Sequence, residues 1–132
     1  MEKIMVIDGD IRDLRDMNDS LSNDFIVLNC SRGDKAFNLF SVYQPDTLIL
    51  DPYTPGLNAK DLINRAKELI FPNPIPILAV THLTTLKHIE ESLNWGVDVI
   101  FSKPFIAERI HRKVRELMLR NKNLREQTPA VF

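Results

Sequence analysis

The sequence predicts an α/β domain built on a parallel five-stranded sheet, and two observations carry that prediction. First, five short apolar runs recur along the chain, at residues 4–7, 25–28, 47–50, 75–80 and 97–101. They are nearly continuous and often β-branched, which is typical of parallel strands that are covered on both faces. Second, a segment with helical spacing of apolar residues follows each run. This alternation favours right-handed crossovers that place helices on both faces of the sheet.

The five helical segments are recognised by their apolar stripes and by signals at their ends. Asp10 is placed to cap the first helix, and Pro45 ends the second. The third stops at Pro72-Asn73-Pro74, the fourth at Gly96 in the C′ position, and the last begins beyond Pro104. The stripes, in order, are Ile11, Leu14, Met17 and Leu21; Ala36, Phe37, Leu39, Phe40 and Tyr43; Leu57, Leu62, Ile63, Ala66 and Ile70; Leu86, Ile89, Leu93 and Trp95; and Ile106, Ile110, Val114 and Leu117. We expect most members of each stripe to lie in the core.

Length and composition indicate one globular domain. The chain has 132 residues, a net charge of −1 and 44% hydrophobic residues, which excludes a disordered or strongly basic protein. The single cysteine, Cys30, excludes an internal disulfide, fits a reducing compartment and is expected to be a small core residue. No apolar run has the ~20 residues of a membrane span, and no signal peptide is evident, so we expect a cytoplasmic protein.

Charge is distributed unevenly along the chain. Residues 1–24 carry seven acids and three bases, whereas residues 103–126 carry eight bases and three acids. No Phe, Tyr or Trp is interleaved with the bases from Arg109 to Arg125, so a solvated helix face is favoured over direct binding to nucleic acid or a membrane. After Arg120 the apolar spacing weakens, and Thr128-Pro129 would end a helix. We therefore place the domain at residues 1–120 and a C-terminal extension, or the start of a linker, at residues 121–132.

Polar side chains follow four of the predicted strands. In an open parallel sheet, ligands bind outside the carboxyl ends of the strands, where such side chains meet. Carboxylates suit a divalent cation, and a hydroxyl and an ammonium suit phosphate oxygens. The residues at these strand ends are Asp8, Gly9 and Asp10; Asp51; Thr81; and Ser102 and Lys103.

Three segments resemble the receiver domains of two-component response regulators, and the resemblance covers residues 3–119. "DTLILDPYTPG" is similar to the phosphoacceptor segment, which implies that Asp51 is the nucleophile. "PIPILAVTHL" resembles the fourth strand, whose final Thr81 would contact the phosphoryl group. "GVDVIFSKPF" resembles the fifth, with Lys103 as the phosphate-contacting lysine and a peptide bond to Pro104 that is usually cis.

The resemblance implies a flavodoxin-like (βα)5 sandwich with strand order 2-1-3-4-5, two helices on one face and three on the other. It implies a regulatory domain rather than an enzyme, capable at most of self-phosphorylation and self-dephosphorylation. The phosphoryl donor would be a sensor histidine kinase or a phosphotransfer protein. An effector domain or partner protein would bind the face formed by helix 4, strand 5 and helix 5, and a homodimer is a further option.

The acidic pocket departs from the family pattern at Gly9, where receivers carry a second acid that binds Mg²⁺. The remaining ligands would be Asp8, Asp51 and the Tyr53 backbone carbonyl, so we expect Mg²⁺ to bind weakly. Asp10 is a further candidate ligand, although a helix cap is the favoured interpretation. Gly9 has two interpretations as well: a missing ligand, or a turn that needs φ > 0.

Two further departures concern the predicted switch positions, Thr81 and Ile100. His82 stands where a small residue usually follows the threonine. Ile100 stands where an aromatic residue usually couples to the threonine, and the neighbouring Phe101 should point to the opposite face of the strand.

Two alternatives remain open on sequence alone. In the first, the domain is a degenerate receiver that docks onto proteins without phosphorylation, as Gly9, His82 and Ile100 suggest. In the second, Asp8 and Asp10 resemble the nucleophile and acid/base of haloacid-dehalogenase-like phosphohydrolases. The second lacks the further metal-binding acids expected after the fourth strand and leaves Asp51 unexplained.

Overall fold

The computed structural model describes residues 1–69 and 74–127, which form five strands and five helices in strict alternation. In chain order these are β1 (Lys3–Ile7), α1 (Ile11–Leu21), β2 (Ile26–Cys30), α2 (Gly33–Tyr43), β3 (Thr47–Leu50), α3 (Ala59–Leu69), β4 (Ile77–Thr81), α4 (Leu86–Trp95), β5 (Val99–Ser102) and α5 (Ala107–Gln127).

The strands form one parallel sheet in the order β2-β1-β3-β4-β5, which confirms the predicted topology. The side chains of β1, β3 and β4 are almost entirely buried, because each of these inner strands has helices on both faces. One apolar cluster joins the sheet to α1 and α5, and the other joins it to α2 and α3, with Trp95 of α4 packed against it. Two helices therefore cover one face and three cover the other, as predicted. Cys30 ends β2 and is buried, also as predicted.

Strand boundaries differ from the apolar runs by one to two residues. β4 begins at Ile77 rather than at residue 75, because Pro76 has no N–H to give to a sheet. β5 begins at Val99 rather than at residue 97, since the Val97 N–H donates to the Ser92 carbonyl at the end of α4. Ile70, expected at the end of the third stripe, lies outside the described residues.

Helix α4 differs most from expectation. Leu86 and Leu93 were expected in the core but are 72% and 50% exposed, whereas Ser92 is buried. The Tyr53 ring, in the loop after β3, packs edge-on against His88 of α4. The helix ends at Gly96 as predicted, with φ at 111°.

Helix α5 continues seven residues beyond Arg120 and reaches Gln127. The Asn121 side chain donates to the Pro74 carbonyl at 3.0 Å, so the added turns begin in contact with the domain. The predicted stop at Thr128-Pro129 lies outside the described residues. Within residues 1–69 and 74–127, no helix combines the length and the apolar composition needed to cross a bilayer.

Candidate functional site

The carboxyl ends of β1, β3 and β5 bring Asp8, Asp51 and Lys103 together. Backbone pairing continues one residue past the strands: the Asp8 N–H donates to Cys30, and the Asp51 N–H donates to Ile7 at 2.8 Å. These hydrogen bonds fix the backbone positions from which the Asp8 and Asp51 side chains extend. The Lys103 N–H likewise donates to the carbonyl at the end of β4, at 2.9 Å. The peptide bond that follows Lys103 is cis, in agreement with the family resemblance.

The Lys103 ammonium lies among three carboxylates. Its Nζ is 2.8 Å from Asp8 Oδ2, 2.9 Å from Asp13 Oδ2 and 3.1 Å from Asp51 Oδ2. The Lys103 side chain is only 3% exposed, and Asp8 is buried as well, so these attractions act with little screening by water. The ammonium carries three donors, and three carboxylates surround it.

Asp13 was not predicted as a site residue. Its sequence position, three residues after the N-cap, indicated only a favourable interaction with the dipole of α1. The first turn of α1 starts at the same edge at which β1 ends, which is why a side chain on that turn reaches the site. That short strand-to-helix connection was the available signal, and spacing alone could not show which way Asp13 points.

Burial and ion pairing oppose each other at this site. Burial raises the pKa of Asp8, and the hydrogen bond from Lys103 only partly offsets it. Burial lowers the pKa of Lys103, but hydrogen bonds to Asp8, Asp13 and Asp51 outweigh that effect, and the net pKa is raised. Lys103 therefore stays charged throughout the physiological range.

Asp10 caps α1, as the favoured interpretation held. Its Oδ1 accepts from the Arg12 N–H at 2.9 Å and from the Asp13 N–H at 3.4 Å, and its Oδ2 is 3.4 Å from the Arg12 guanidinium. The Asp10 N–H in turn donates to Asp8 Oδ1 at 2.9 Å. The cap thus holds both Asp10 oxygens at the start of α1.

Gly9 does not have a positive φ, so the interpretation as a left-handed turn is wrong. A Cβ at Gly9 would lie 3.2 Å from Pro55 Cδ and 3.7 Å from Thr54 Cγ2, which is tight on one side only. The backbone at this position therefore does not require glycine, and the interpretation as a missing ligand stays a prediction.

The loop after β3 orients the Asp51 carboxylate. Asp51 Oδ1 accepts from the Tyr53 N–H at 3.0 Å, which leaves Oδ2 facing Lys103. The Thr54 hydroxyl donates to the Asp51 carbonyl at 2.8 Å and tightens the same turn. The loop therefore presents one carboxylate oxygen to the ammonium in a fixed direction.

The remaining predicted residues lie nearby, though with other partners. The Thr81 hydroxyl is buried and accepts from the Leu83 N–H at 3.1 Å, while His82 lines the cavity above Asp51. Ile100 packs against the cluster on the α2 and α3 side, and Phe101 packs against the opposite cluster. The prediction that Phe101 points away from Ile100 is therefore confirmed.

The donor atoms at this edge fit a hard cation. Asp8 and Asp51 offer carboxylate oxygens and the loop offers backbone carbonyls, and Mg²⁺ often uses one or two carboxylates with water completing its shell. In residues 1–69 and 74–127, no three acidic, histidine or cysteine side chains form a ready-made metal site. The carboxylates converge on Lys103 instead, so a divalent ion has to share them with the ammonium.

Solved structures with this fold are numerous. One is the response regulator receiver domain protein (CheY-like) from Methanospirillum hungatei, with a TM-score of 0.83 and 19% identity over 93% of this chain and 98% of that one. Another is the BeF3-activated DrrB receiver domain, with a TM-score of 0.81 and 21% identity over 90% of this chain and 98% of that one. At these identities the likeness establishes the fold.

Curated relatives match by sequence. The response regulator MprA of Mycobacterium avium is 27% identical over 121 residues, which are 91% of this chain and 52% of MprA. Histidine kinase P4 of Formosa agariphila is 31% identical over 106 residues, which are 80% of this chain and 7% of that kinase. The chain spans about half the length of most of the regulators it matches.

The match to a family model covers most of the domain. The model of the response regulator receiver domain aligns with residues 4–115, from the first buried residue of β1 to the middle of α5. That stretch contains all five described strands except Lys3, the first residue of β1, and all the residues gathered around Lys103. By this match, the chain belongs to the response regulator receiver domain family of two-component signalling.

Proposed function

We propose that this receiver accepts a phosphoryl group on Asp51 from a histidine kinase or phosphotransfer protein and thereby switches its binding to a partner. The observation that carries the proposal is the 3.1 Å contact between Lys103 Nζ and Asp51 Oδ2 at the carboxyl edge of the sheet. It places a permanent positive charge beside the carboxylate on which phosphate charge would develop. The turn after β3 keeps that carboxylate oriented.

The reaction forms one bond and breaks one bond. An Asp51 oxygen attacks phosphorus in a phosphohistidine or a small acyl phosphate, and the bond from phosphorus to the donor nitrogen or acyl oxygen breaks. The donor keeps the electron pair of that bond, and Lys103 remains beside the oxygens of the transferred group. Positioning and charge stabilisation carry most of such catalysis. Later hydrolysis of the aspartyl phosphate would restore the carboxylate.

Mg²⁺ is the cofactor we propose, held by Asp8, Asp51 and the Tyr53 backbone carbonyl. Bound there, it supplies charge neutralisation between Asp51 and the incoming phosphoryl group. Asp10, the further candidate ligand, is committed to the cap of α1 and is left out of the proposed ligand set. Because Gly9 contributes no carboxylate, the proposed site is weaker than one with a further acid.

The proposed output surface is the face formed by α4, β5 and α5. Leu86 and Leu93 are exposed on α4, where a protein partner or a second copy of the domain would find apolar contacts. Thr81 and Ile100 occupy the switch positions, but Ile100 has no ring that could alternate between buried and exposed states. A cytoplasmic location fits this role and stays a prediction.

The test is to treat the protein with a small acyl phosphate and Mg²⁺, and to follow the mass of the intact chain. We expect the mass of one phosphoryl group to be added to wild type but not to Asp51→Asn. A phosphorylated Asp8 would instead support the phosphohydrolase alternative, which the family match does not favour. If the protein is not labelled at any Mg²⁺ concentration tested but still binds partners, our proposal is wrong. The domain would then be the phosphorylation-independent docking module.

A further inference from the structure

The position of Asp13 has a consequence for the binding of a cation. Asp13 shares the Lys103 ammonium with Asp8 and Asp51, yet it belongs to α1, whereas the other two acids follow strands. Its side chain is 21% exposed, compared with 2% for Asp8, so it is the member of the cluster most accessible to water. Its backbone N–H donates to the Asp10 cap, which ties the residue to the start of the helix.

Without Asp13, the whole Lys103 charge would be directed at Asp8 and Asp51, the two carboxylates proposed to hold Mg²⁺. The ammonium would then compete more strongly with the metal for both. The cluster would also lose one negative charge at a distance well within a Debye length of ~8 Å. Both effects lower the attraction for a divalent cation, so the sign of the change does not depend on which is larger.

We propose that Asp13 is a positioning residue that draws the Lys103 ammonium toward α1 and so maintains the affinity of the Asp8–Asp51 pair for Mg²⁺. Asp13 thereby compensates in part for the attraction to Mg²⁺ that a carboxylate at residue 9 would add. It acts through Lys103 and is not itself a metal ligand. This inference rests on the proposed function only in the identity of the cation.

The test is a titration of the full chain with MgCl₂ at constant ionic strength, followed by the amide NMR shifts around the site. We expect Asp13→Asn to weaken Mg²⁺ binding about five- to thirty-fold. The matched control is Asp16→Asn, which removes the same charge from an exposed position on α1 and should change the affinity less than twofold. Asp13→Glu restores the charge and should recover part of the affinity.

A second measurement reports on Lys103 itself. The NMR signal of the Lys103 side-chain ammonium should shift in Asp13→Asn and stay unchanged in Asp16→Asn, because Asp13 contacts the ammonium at 2.9 Å and the exposed Asp16 does not. A role confined to helix stability would not move that signal at a temperature where both variants are folded.

Equal loss of Mg²⁺ affinity in the Asp13 and Asp16 variants would overturn the inference, as would wild-type affinity in Asp13→Asn or no Mg²⁺ binding by wild type. These outcomes are separable from failure of the proposed function. If Asp51 is never phosphorylated but Asp13→Asn weakens Mg²⁺ binding, the function is wrong and the role of Asp13 stands. If Asp51 is phosphorylated normally but Asp13→Asn does not change the Mg²⁺ affinity, the role of Asp13 is wrong and the proposed function stands.

Discussion

Asp8 carries a carboxylate that is almost completely buried. Burial raises its pKa above the ordinary value of 3.8, so the folded protein binds a proton at Asp8 more tightly than the unfolded chain does. Ionised Asp8 therefore costs stability at neutral pH, and the cost disappears as the pH falls through the raised pKa toward 3.8.

We predict that Asp8→Asn raises the free energy of unfolding at neutral pH by on the order of 1 kcal/mol in the absence of Mg²⁺. Lys103 keeps Asp13 and Asp51 as partners in this variant. The gain should shrink as the pH is lowered, because wild-type Asp8 becomes neutral as well. Urea unfolding over a series of pH values measures it, and a gain that is constant with pH would contradict this account.

The backbone at Gly9 has no positive φ and does not require glycine, so the proposal that a metal ligand is missing there can be tested by substitution. A side chain there has to displace Pro55 Cδ by a few tenths of an ångström from a 3.2 Å approach, so Gly9→Ala should cost no more than about 1 kcal/mol. Gly9→Asp adds a carboxylate beside Asp8, and we predict a rise in Mg²⁺ affinity of roughly ten- to a hundredfold over Gly9→Ala. Equal affinities in these two variants, measured by Mg²⁺ titration, would show that the glycine is not a missing ligand.

At the scale of elements, α1 links the cap to the site, since Asp10 starts the helix that carries Asp13. Asp10→Ala removes the acceptor for the Arg12 and Asp13 N–H groups and should lower the free energy of unfolding by about 1 kcal/mol. Asp10→Asn keeps an acceptor and should lose little. If Asp10→Asn weakened Mg²⁺ binding more than Asp13→Asn does, Asp10 would be a ligand after all, and the assignment as a cap would be incomplete.

Most elements could be predicted because their signals are local. Continuous apolar runs mark inner strands wherever helices cover both faces, and prolines and Gly96 mark the ends of helices. The exposure of Leu86 and Leu93 on α4 could not be predicted, because helical spacing alone does not show which neighbouring elements cover a helix. The need for glycine at residue 33 could not be predicted either. A Cβ at Gly33 would lie 2.2 Å from the Leu57 backbone nitrogen, because α2 starts close to the loop after β3. No local sequence pattern reveals that close approach.

The site could be predicted in part for the same reason. Asp8, Asp51 and Lys103 follow strands, and parallel strands bring their carboxyl ends together whatever the details of packing. The contact between Lys103 and Asp51 was therefore expected and is confirmed at 3.1 Å. Asp13 reaches the site from a helix, where its direction depends on how α1 docks against the sheet, and sequence spacing does not carry that information.

At the scale of the whole molecule, the proposed domain boundary at residue 120 can be tested by truncation. Residues 4–115 carry the family match, and the members of the two apolar clusters whose burial the structure describes all precede Arg120. A chain that ends at Arg120 should fold cooperatively, and loss of the hydrogen bond from Asn121 to Pro74 should lower the free energy of unfolding by about 1 kcal/mol. Thermal unfolding measures this, and failure of the shortened chain to fold would move the boundary into the extension.

For the molecule as a whole, we propose that phosphoacceptor chemistry at Asp51 is retained, with a Mg²⁺ site weakened at Gly9. The most direct measurement is the rate of labelling of Asp51 by a small acyl phosphate as a function of Mg²⁺ concentration, in wild type and in Gly9→Asp. We predict that the rate of Asp51 labelling in wild type still rises with Mg²⁺ at concentrations where the rate in Gly9→Asp has levelled off. Wild-type labelling that is absent at every Mg²⁺ concentration, or that levels off together with the variant, would contradict it.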